Sequence, residues 1–247
     1  MARQRSLKPR APREVAVPRV GGIDALRGLA VVAMVAYHAA FDLAYFRVTT
    51  HDFYRDPFWL HSRTAILSSF LLIAGISAAL ARRDPRADAR WPRHVAMIGG
   101  AAALVTAASV MMFPRSFIWF GVLHAIAVSL IVARPLTDRP RAAALAGVVV
   151  IVAGLTLSSP LFDNRWLGWL GFMTHKPVTE DYVPMFPWTG VLLLGIAAGH
   201  ALVQNRFALL SPLGHAPRAL RFLGRHSLAV YLVHQPLLLG ALEVTVR

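Results

Sequence analysis

Residues 23–46, IDALRGLAVVAMVAYHAAFDLAYF, decide the fold class of this chain. The stretch is apolar and long enough to cross the hydrocarbon core of a membrane as one helix, which takes about 20 residues. Four ionisable side chains interrupt it: Asp24, Arg27, His38 and Asp42. Because ionisable groups inside a membrane are costly, they usually face a cavity and serve a function. We therefore expect this helix to be both a membrane span and the centre of the chemistry.

The composition of the whole chain also indicates a membrane protein. Of its 247 residues, 56% are hydrophobic and only 15% are charged, which is too apolar for a soluble domain of this length. Cysteine is absent, which excludes disulfides, thiolate metal sites and acyl-cysteine intermediates, and we expect no metal. The net charge of +14 does not predict nucleic-acid binding, because the arginines lie between apolar segments, where membrane topology explains them. Neither Lys8 nor Lys176 lies in an apolar run, which excludes a retinal Schiff base.

Seven apolar segments predict an all-α, polytopic membrane helix bundle. They cover residues 24–46, 58–81, 93–112, 117–133, 141–157, 184–203 and 219–245. Loops rich and poor in Lys and Arg alternate along the chain, so the positive-inside rule places the N-terminus in the cytoplasm and the C-terminus outside. We expect residues 1–22 to be a disordered basic cytoplasmic tail and residues 23–247 to be one transmembrane domain.

The first helix carries a candidate base. Arg27 and His38 lie eleven residues apart, which places them on nearly the same helix face with a rise of roughly 16 Å. Asp42 follows His38 by four residues, a spacing at which a carboxylate can orient an imidazole for general-base catalysis. The alternative is a buried polar cluster that only fixes helix packing.

Two further imidazoles are predicted at the depth of His38. His124 lies in the fourth segment and His234 in the seventh, and counting about 1.5 Å per residue from the helix ends places both near mid-membrane. Three imidazoles at one level suggest a shared cavity. Residues 158–183, rich in aromatic side chains, are expected to lie at the outer interface and to cap that cavity.

Four stretches in order resemble the catalytic domain of bacterial relatives of heparan-α-glucosaminide N-acetyltransferase, within the transmembrane acyltransferase superfamily. They are residues 23–46, RSFIWFGVLHAIAVS at 115–129, DYVPMFPWTGVLLLGIAAG at 181–199 and LGRHSLAVYLVHQPLL at 223–238. The resemblance implies an integral-membrane enzyme that moves an acyl group, usually acetyl, from cytoplasmic acyl-CoA to an amine or hydroxyl of an extracytoplasmic saccharide.

The resemblance also implies roles for the residues of the first helix and of the loop that follows it. Arg27 and His38 reproduce an Arg-x10-His pattern, in which Arg27 would contact a CoA phosphate and His38 would lie near the thioester. Arg27 could equally form a structural pair with Asp24. His51, in the outer loop after the first helix, is a rival for the catalytic base, and we rank His38 above it.

Further candidates complete the predicted site. Arg63 could stabilise the oxyanion or bind a carboxylated sugar, although it could also extend to the headgroups. Asp181 and Trp188 could shape the acceptor site. The remaining candidates are His124 for acyl-CoA binding and, for substrate binding, Tyr231, His234 and Gln235, all four as hydrogen-bond donors.

Two other classes of function remain open from the residues alone. A proton-coupled transporter would use Asp42, His38 and His124 as a proton relay, and a non-catalytic membrane subunit would need none of them. The expected partners are acyl-CoA, the saccharide acceptor, the lipid bilayer and, as one option, a second copy of the chain in a homodimer. The expected location is the bacterial inner membrane, with multiple spans.

Overall fold

The structure of the chain, a computed structural model, describes residues 20–246. Within this range the fold is all-helical and contains no β-strand, as predicted. Residues 1–19 of the predicted tail lie outside the described range, and the first helix already begins at Gly21.

Ten α-helices form the described part of the chain. Five of them are long and apolar enough to cross a membrane: α1 (Gly21–Tyr45), α2 (Pro57–Arg82), α4 (Trp91–Met112), α8 (Met185–Gln204) and α10 (Ser227–Val246). The others are α3 (Pro85–Ala89), α5 (Val122–Val132), α6 (Pro140–Thr156), α7 (Arg165–Gly168) and α9 (Arg218–Arg225). The chain is therefore a multi-pass membrane protein by the length and composition of its helices.

Two of the seven predicted spans differ from the structure. The segment predicted at 117–133 is helical only over the 11 residues of α5, which at 1.5 Å per residue cover about 16 Å, half of a hydrocarbon core. The segment predicted at 219–245 is two helices, because His226 leaves helical geometry between α9 and α10. Seven spans and the orientation of the termini remain predictions, because the five helices of spanning length include α10 but leave out α5 and the 17-residue α6.

Helix α8 lies at the centre of the bundle and contacts α2 and α6 through glycines. A Cβ at Gly75 of α2 would lie 2.0 Å from the carbonyl oxygen of Leu192, and a Cβ at Gly190 would lie 2.5 Å from the carbonyl oxygen of Gly147 in α6. Such contacts are possible only without side chains, and small residues allow this close approach of membrane helices. Around them, Leu71, Leu192 and Ile196 are completely buried.

Polar contacts between loops occur at the two ends of the bundle. Successive loops of a multi-pass protein alternate between these ends. At one end, Asp88 in α3 accepts hydrogen bonds from Arg82 and from Arg134, and the Arg134 bond lowers the pKa of the Asp88 carboxyl. At the other end, the loop before α8 pairs with the loop before α5, where the Val183 N–H donates to the Phe120 carbonyl at 3.1 Å. Loops predicted to share a side of the membrane therefore lie at the same end.

Candidate active site

Two imidazoles meet inside the bundle, one from α1 and one from α10. The ring centroids of His38 and His234 are 4.9 Å apart and the rings meet edge to face. The two residues are far apart in sequence, and only the estimate of membrane depth linked them. The rings of His38 and His234 are therefore in contact, while the shared cavity stays a prediction.

The hydrogen bonds of the two imidazoles fix their neutral tautomers. His38 Nδ1 lies 2.9 Å from the carbonyl oxygen of Met34, and His234 Nδ1 lies 2.7 Å from that of Tyr231. A carbonyl oxygen can only accept, so each Nδ1 carries the hydrogen and each Nε2 keeps its lone pair. Both rings therefore present Nε2 as an acceptor, which is the form that a general base requires.

Two buried acceptors at this place have no donor among the described residues, which makes it a candidate ligand site. Within the described residues, His234 Nε2 and Gln235 Oε1 are buried and have no hydrogen-bond partner, and His234 is only 7% exposed. An unsatisfied buried polar atom is costly, so a native structure that keeps one needs an explanation. A ligand with an amine or hydroxyl group would supply the missing donors.

Asp42 does not orient His38. Both of its carboxylate oxygens accept from Gln235 Nε2, at 2.9 and 3.1 Å, and the carboxylate is almost completely buried. The expected Asp42–His38 hydrogen bond is not formed, because the amide of α10 occupies the carboxylate and the Met34 carbonyl occupies the Nδ1 of His38. Instead, Asp42 ties α1 to α10 and turns Gln235 Oε1 away from itself.

His124 does not join the other two imidazoles. It is the third residue of α5, where its Nδ1 accepts from the Gly121 N–H at 3.2 Å and its Nε2 lies 3.2 Å from the Thr106 hydroxyl. Its ring packs against Phe120. The suggested shared cavity is not supported for His124, which lies against Thr106 and Phe120 instead, because helix depth does not specify the direction in which a side chain points.

Asp181, in the loop before α8, is held by the start of α5. Its Oδ2 accepts from the Val122 N–H at 2.8 Å, where the helix dipole favours a negative charge. A Cβ on Gly121 would lie 2.3 Å from this oxygen, so glycine is needed for the approach. Burial raises the pKa of Asp181, while the Val122 hydrogen bond and the positive charges of Lys176 and Arg63 oppose the shift. Arg63 and Asp181, predicted together, are thus electrostatic neighbours.

Trp188 and Tyr231 belong to the packed interior. Both pack against the main hydrophobic cluster, and Trp188 also packs against the cluster around Phe120 and Val183. Tyr231 lies within electrostatic range of Asp181, and its ring lies 5.7 Å from that of His234. The predicted substrate contacts of Trp188 and Tyr231 stay predictions.

The rival base His51 lies on the rim of a separate cavity. This cavity, of about 290 Å³, is lined by the end of α1 and by the loop after it, including His51, Asp52 and Tyr54. The His51 ring lies 5.4 Å from that of Trp59. Tyr37, which the sequence analysis missed, contacts the rings of both Trp59 and His38. Tyr37 directly precedes His38 in α1, and this position could have identified it from the sequence.

Arg27 lies at the opposite end of α1 in a network of its own. Its guanidinium donates to the Ser77 hydroxyl at 2.7 Å and lies 3.7 Å from the Asp24 carboxylate. The structural pair with Asp24 therefore exists, and Asp24 also accepts from Arg225 at 3.1 Å. The Arg27 side chain keeps 22% of its surface exposed, which leaves the predicted phosphate contact open.

Apolar helices of membrane-spanning length, with the imidazoles of His38 and His234 in contact between two of them, define a polytopic membrane protein with a candidate acid–base site inside the bundle. Residues 19–236 match the family described as heparan-alpha-glucosaminide N-acetyltransferase, catalytic. The chain belongs to this family. Membership implies transferase chemistry of the acyltransferase type and, in general, an acyl-CoA co-substrate. Comparisons with curated proteins and with solved structures find no significant match.

Proposed function

We propose that this protein transfers an acetyl group from cytoplasmic acetyl-CoA, or another acyl-CoA, to an amine or hydroxyl of an extracytoplasmic saccharide. The bacterial inner membrane is the proposed location. The observation that carries the proposal is the contact between the His38 and His234 rings in a chain of this family, where the buried Nε2 of His234 has no hydrogen-bond donor among the described residues. An acceptor amine or hydroxyl is such a donor.

In the proposed reaction, His38 Nε2 accepts the proton of the acceptor N–H or O–H group. The freed lone pair attacks the thioester carbonyl carbon and forms a tetrahedral oxyanion. The C–S bond then breaks, the acyl group stays on the acceptor, and the CoA thiolate takes the proton from the His38 imidazolium. Transfer is direct in this scheme, because the chain has no cysteine to form an acyl-enzyme.

His234 and Gln235 would position the acceptor group. His234 Nε2 and Gln235 Oε1 can each accept a hydrogen bond from the attacking amine or from a neighbouring hydroxyl. Asp42 acts through Gln235, because its two hydrogen bonds with the amide nitrogen hold the amide in this orientation. In this scheme Asp42 is a positioning residue and makes no contact with the reacting atoms.

The two ends of the bundle would bind the two substrates. Arg27 marks the end proposed for the CoA phosphates, and the roughly 16 Å helix rise from Arg27 to His38 suits the pantetheine arm. Arg63 and Asp181 mark the opposite end, which we propose for the saccharide. Donor and acceptor would then approach the imidazole pair from opposite sides.

Proton-coupled transport is the second candidate. His38, His234 and Asp42 form a buried titratable group inside apolar helices, which is also expected of a proton relay. Family membership favours the transferase. The two functions differ in their products, since only a transferase consumes acyl-CoA and modifies the saccharide covalently.

Reconstituted sealed vesicles test the proposal. Acetyl-CoA labelled in the acetyl group is supplied on one side and a panel of amino sugars and envelope saccharides on the other. Transferase activity predicts label on the saccharide, its loss in His234→Ala and its retention in His215→Ala, since His215 is exposed on a loop. Unmodified saccharide that crosses the membrane in response to a pH gradient would refute the proposal and establish transport.

A further inference from the structure

Helix α9 presents an arginine face next to the beginning of α1. Arg218, Arg221 and Arg225 follow one another at intervals of three and four residues, so they project within about 60° of one another. Together with Ala219 and Phe222 they line a cavity of about 460 Å³. The positive-inside rule explains why arginines occur in a loop on this side, because it depends only on positive charge. It does not explain why these arginines line a cavity.

One donor inside this cavity has no partner. Arg221 Nε is buried and makes no hydrogen bond within the described residues, whereas Arg225 is held by the Asp24 carboxylate at 3.1 Å. Arg218 is exposed. A buried guanidinium N–H without an acceptor is costly, so the Nε of Arg221, a residue that lines this cavity, calls for an acceptor. Among the described residues, the carboxylate that contacts this face is that of Asp24, through Arg225.

The missing acceptor has the chemistry of a phosphate. Guanidinium groups present donors in a planar fork that matches phosphate oxygens, and Arg is preferred where such recognition matters. The cavity also has an aromatic wall, because Phe222 is 60% exposed and its ring lies 4.2 Å from that of His226. A ligand that matches both features of this cavity would combine a phosphate with an attached base or apolar group.

We propose that the α9 arginine face, Arg218 and Arg221 above all, is a phosphate-binding site for a ligand that also covers Phe222. Two sources have this chemistry: the nucleotide part of an acyl-CoA and the headgroup of an anionic phospholipid. The first source rests on the proposed function, while phosphate binding itself does not. The site lies at the end of the bundle that contains Arg27, whose guanidinium lies 3.5 Å from the Gly224 carbonyl of the same helix.

Binding to the full-length, detergent-purified protein tests this site without any transfer reaction. Calorimetry with adenosine 3′,5′-bisphosphate tests the nucleotide source. Thermal unfolding with added phosphatidylglycerol, compared with phosphatidylcholine, tests the lipid source, because a ligand of the folded state raises Tm. The variants are Arg218→Gln and Arg221→Gln, and the control is Arg141→Gln, an exposed arginine at the start of α6.

For one of the two ligands, we expect both variants to lose at least about tenfold in affinity, which corresponds to about one charge-assisted hydrogen bond. The control variant should bind that ligand as the wild type does. Loss for the nucleotide assigns the site to the acyl donor, and loss for phosphatidylglycerol alone assigns it to lipid. Binding that is equal in wild type and Arg218→Gln, or absent for both ligands, overturns the site. Arg218 is exposed, so its variant remains informative even if Arg221→Gln fails to fold.

Discussion

Replacing Gln235 with leucine isolates the contact that joins α1 to α10. The side chain donates two hydrogen bonds, at 2.9 and 3.1 Å, to a carboxylate that is 1% exposed. Hydrogen bonds to charged groups contribute about 1.5–3 kcal/mol, and a buried charge left without its partner adds a desolvation cost. Gln235→Leu is therefore expected to lower the free energy of unfolding by about 1.5–3 kcal/mol.

A double-mutant cycle separates this contact from general damage to the core. Asp42→Leu leaves the Gln235 amide unsatisfied, whereas the double variant Asp42→Leu/Gln235→Leu leaves neither partner unpaired. The double variant is therefore expected to be less destabilised than the sum of the two single changes, with a coupling energy of at least about 1 kcal/mol. Gln204→Leu, a change at an exposed glutamine, is the control and should shift stability by less than about 0.5 kcal/mol.

Thermal and denaturant-induced unfolding of the detergent-purified variants measures these differences. For a chain of this size, each kcal/mol shifts Tm by about 2–4 °C. Strictly additive effects of Asp42→Leu and Gln235→Leu would refute the reasoning, because they would show that the two side chains do not interact. Retained acetyl transfer in Gln235→Leu would refute the proposed positioning role separately.

Three further predictions concern the two ends of the bundle. Gly121→Ala would place a Cβ 2.3 Å from Asp181 Oδ2, so it should raise the KM for the saccharide severalfold with little change in kcat, as steady-state kinetics would show. Arg27→Ala should raise the KM for acyl-CoA at least about tenfold, whereas Ser77→Ala, which removes only the 2.7 Å partner, should change it much less. Since burial raises the Asp181 pKa, its stabilising contribution is complete below the ordinary aspartate pKa and falls as the pH rises through the raised value. The Tm of Asp181→Asn relative to wild type should therefore increase over that interval, and a constant difference would contradict the assignment.

The sequence predicts the helices well because their signal is local. Apolar runs and the polar loops between them place α1, α2, α4, α6 and α8 within about three residues of their observed ends. The break at His226 was missed because the residues on both sides of it favour a helix. Two residues before this break, Gly224 packs closely against the Asp24 carbonyl, a contact between distant parts of the chain that no local pattern predicts.

The candidate site was predictable only in part. The estimated depth along each helix linked His38 with His234. Depth does not give the rotation of a side chain about the helix axis, however, and His124, at a similar estimated depth, faces Thr106 instead. The i+4 spacing made an Asp42–His38 bond possible. The partner that actually binds Asp42 is 193 residues away in sequence, and no local pattern identifies such a partner.

The most direct test of the central claim is the release of free CoA from acetyl-CoA by purified protein, with and without a saccharide acceptor. A thiol reagent reports the released CoA cleanly, because the protein contains no cysteine. We expect saccharide-dependent release by wild type and by His51→Ala, and a loss of about a hundredfold or more in His38→Ala, with acetyl-CoA binding intact. Full activity of His38→Ala together with its loss in His51→Ala would contradict the assignment of His38 and move the catalytic base to the loop after α1.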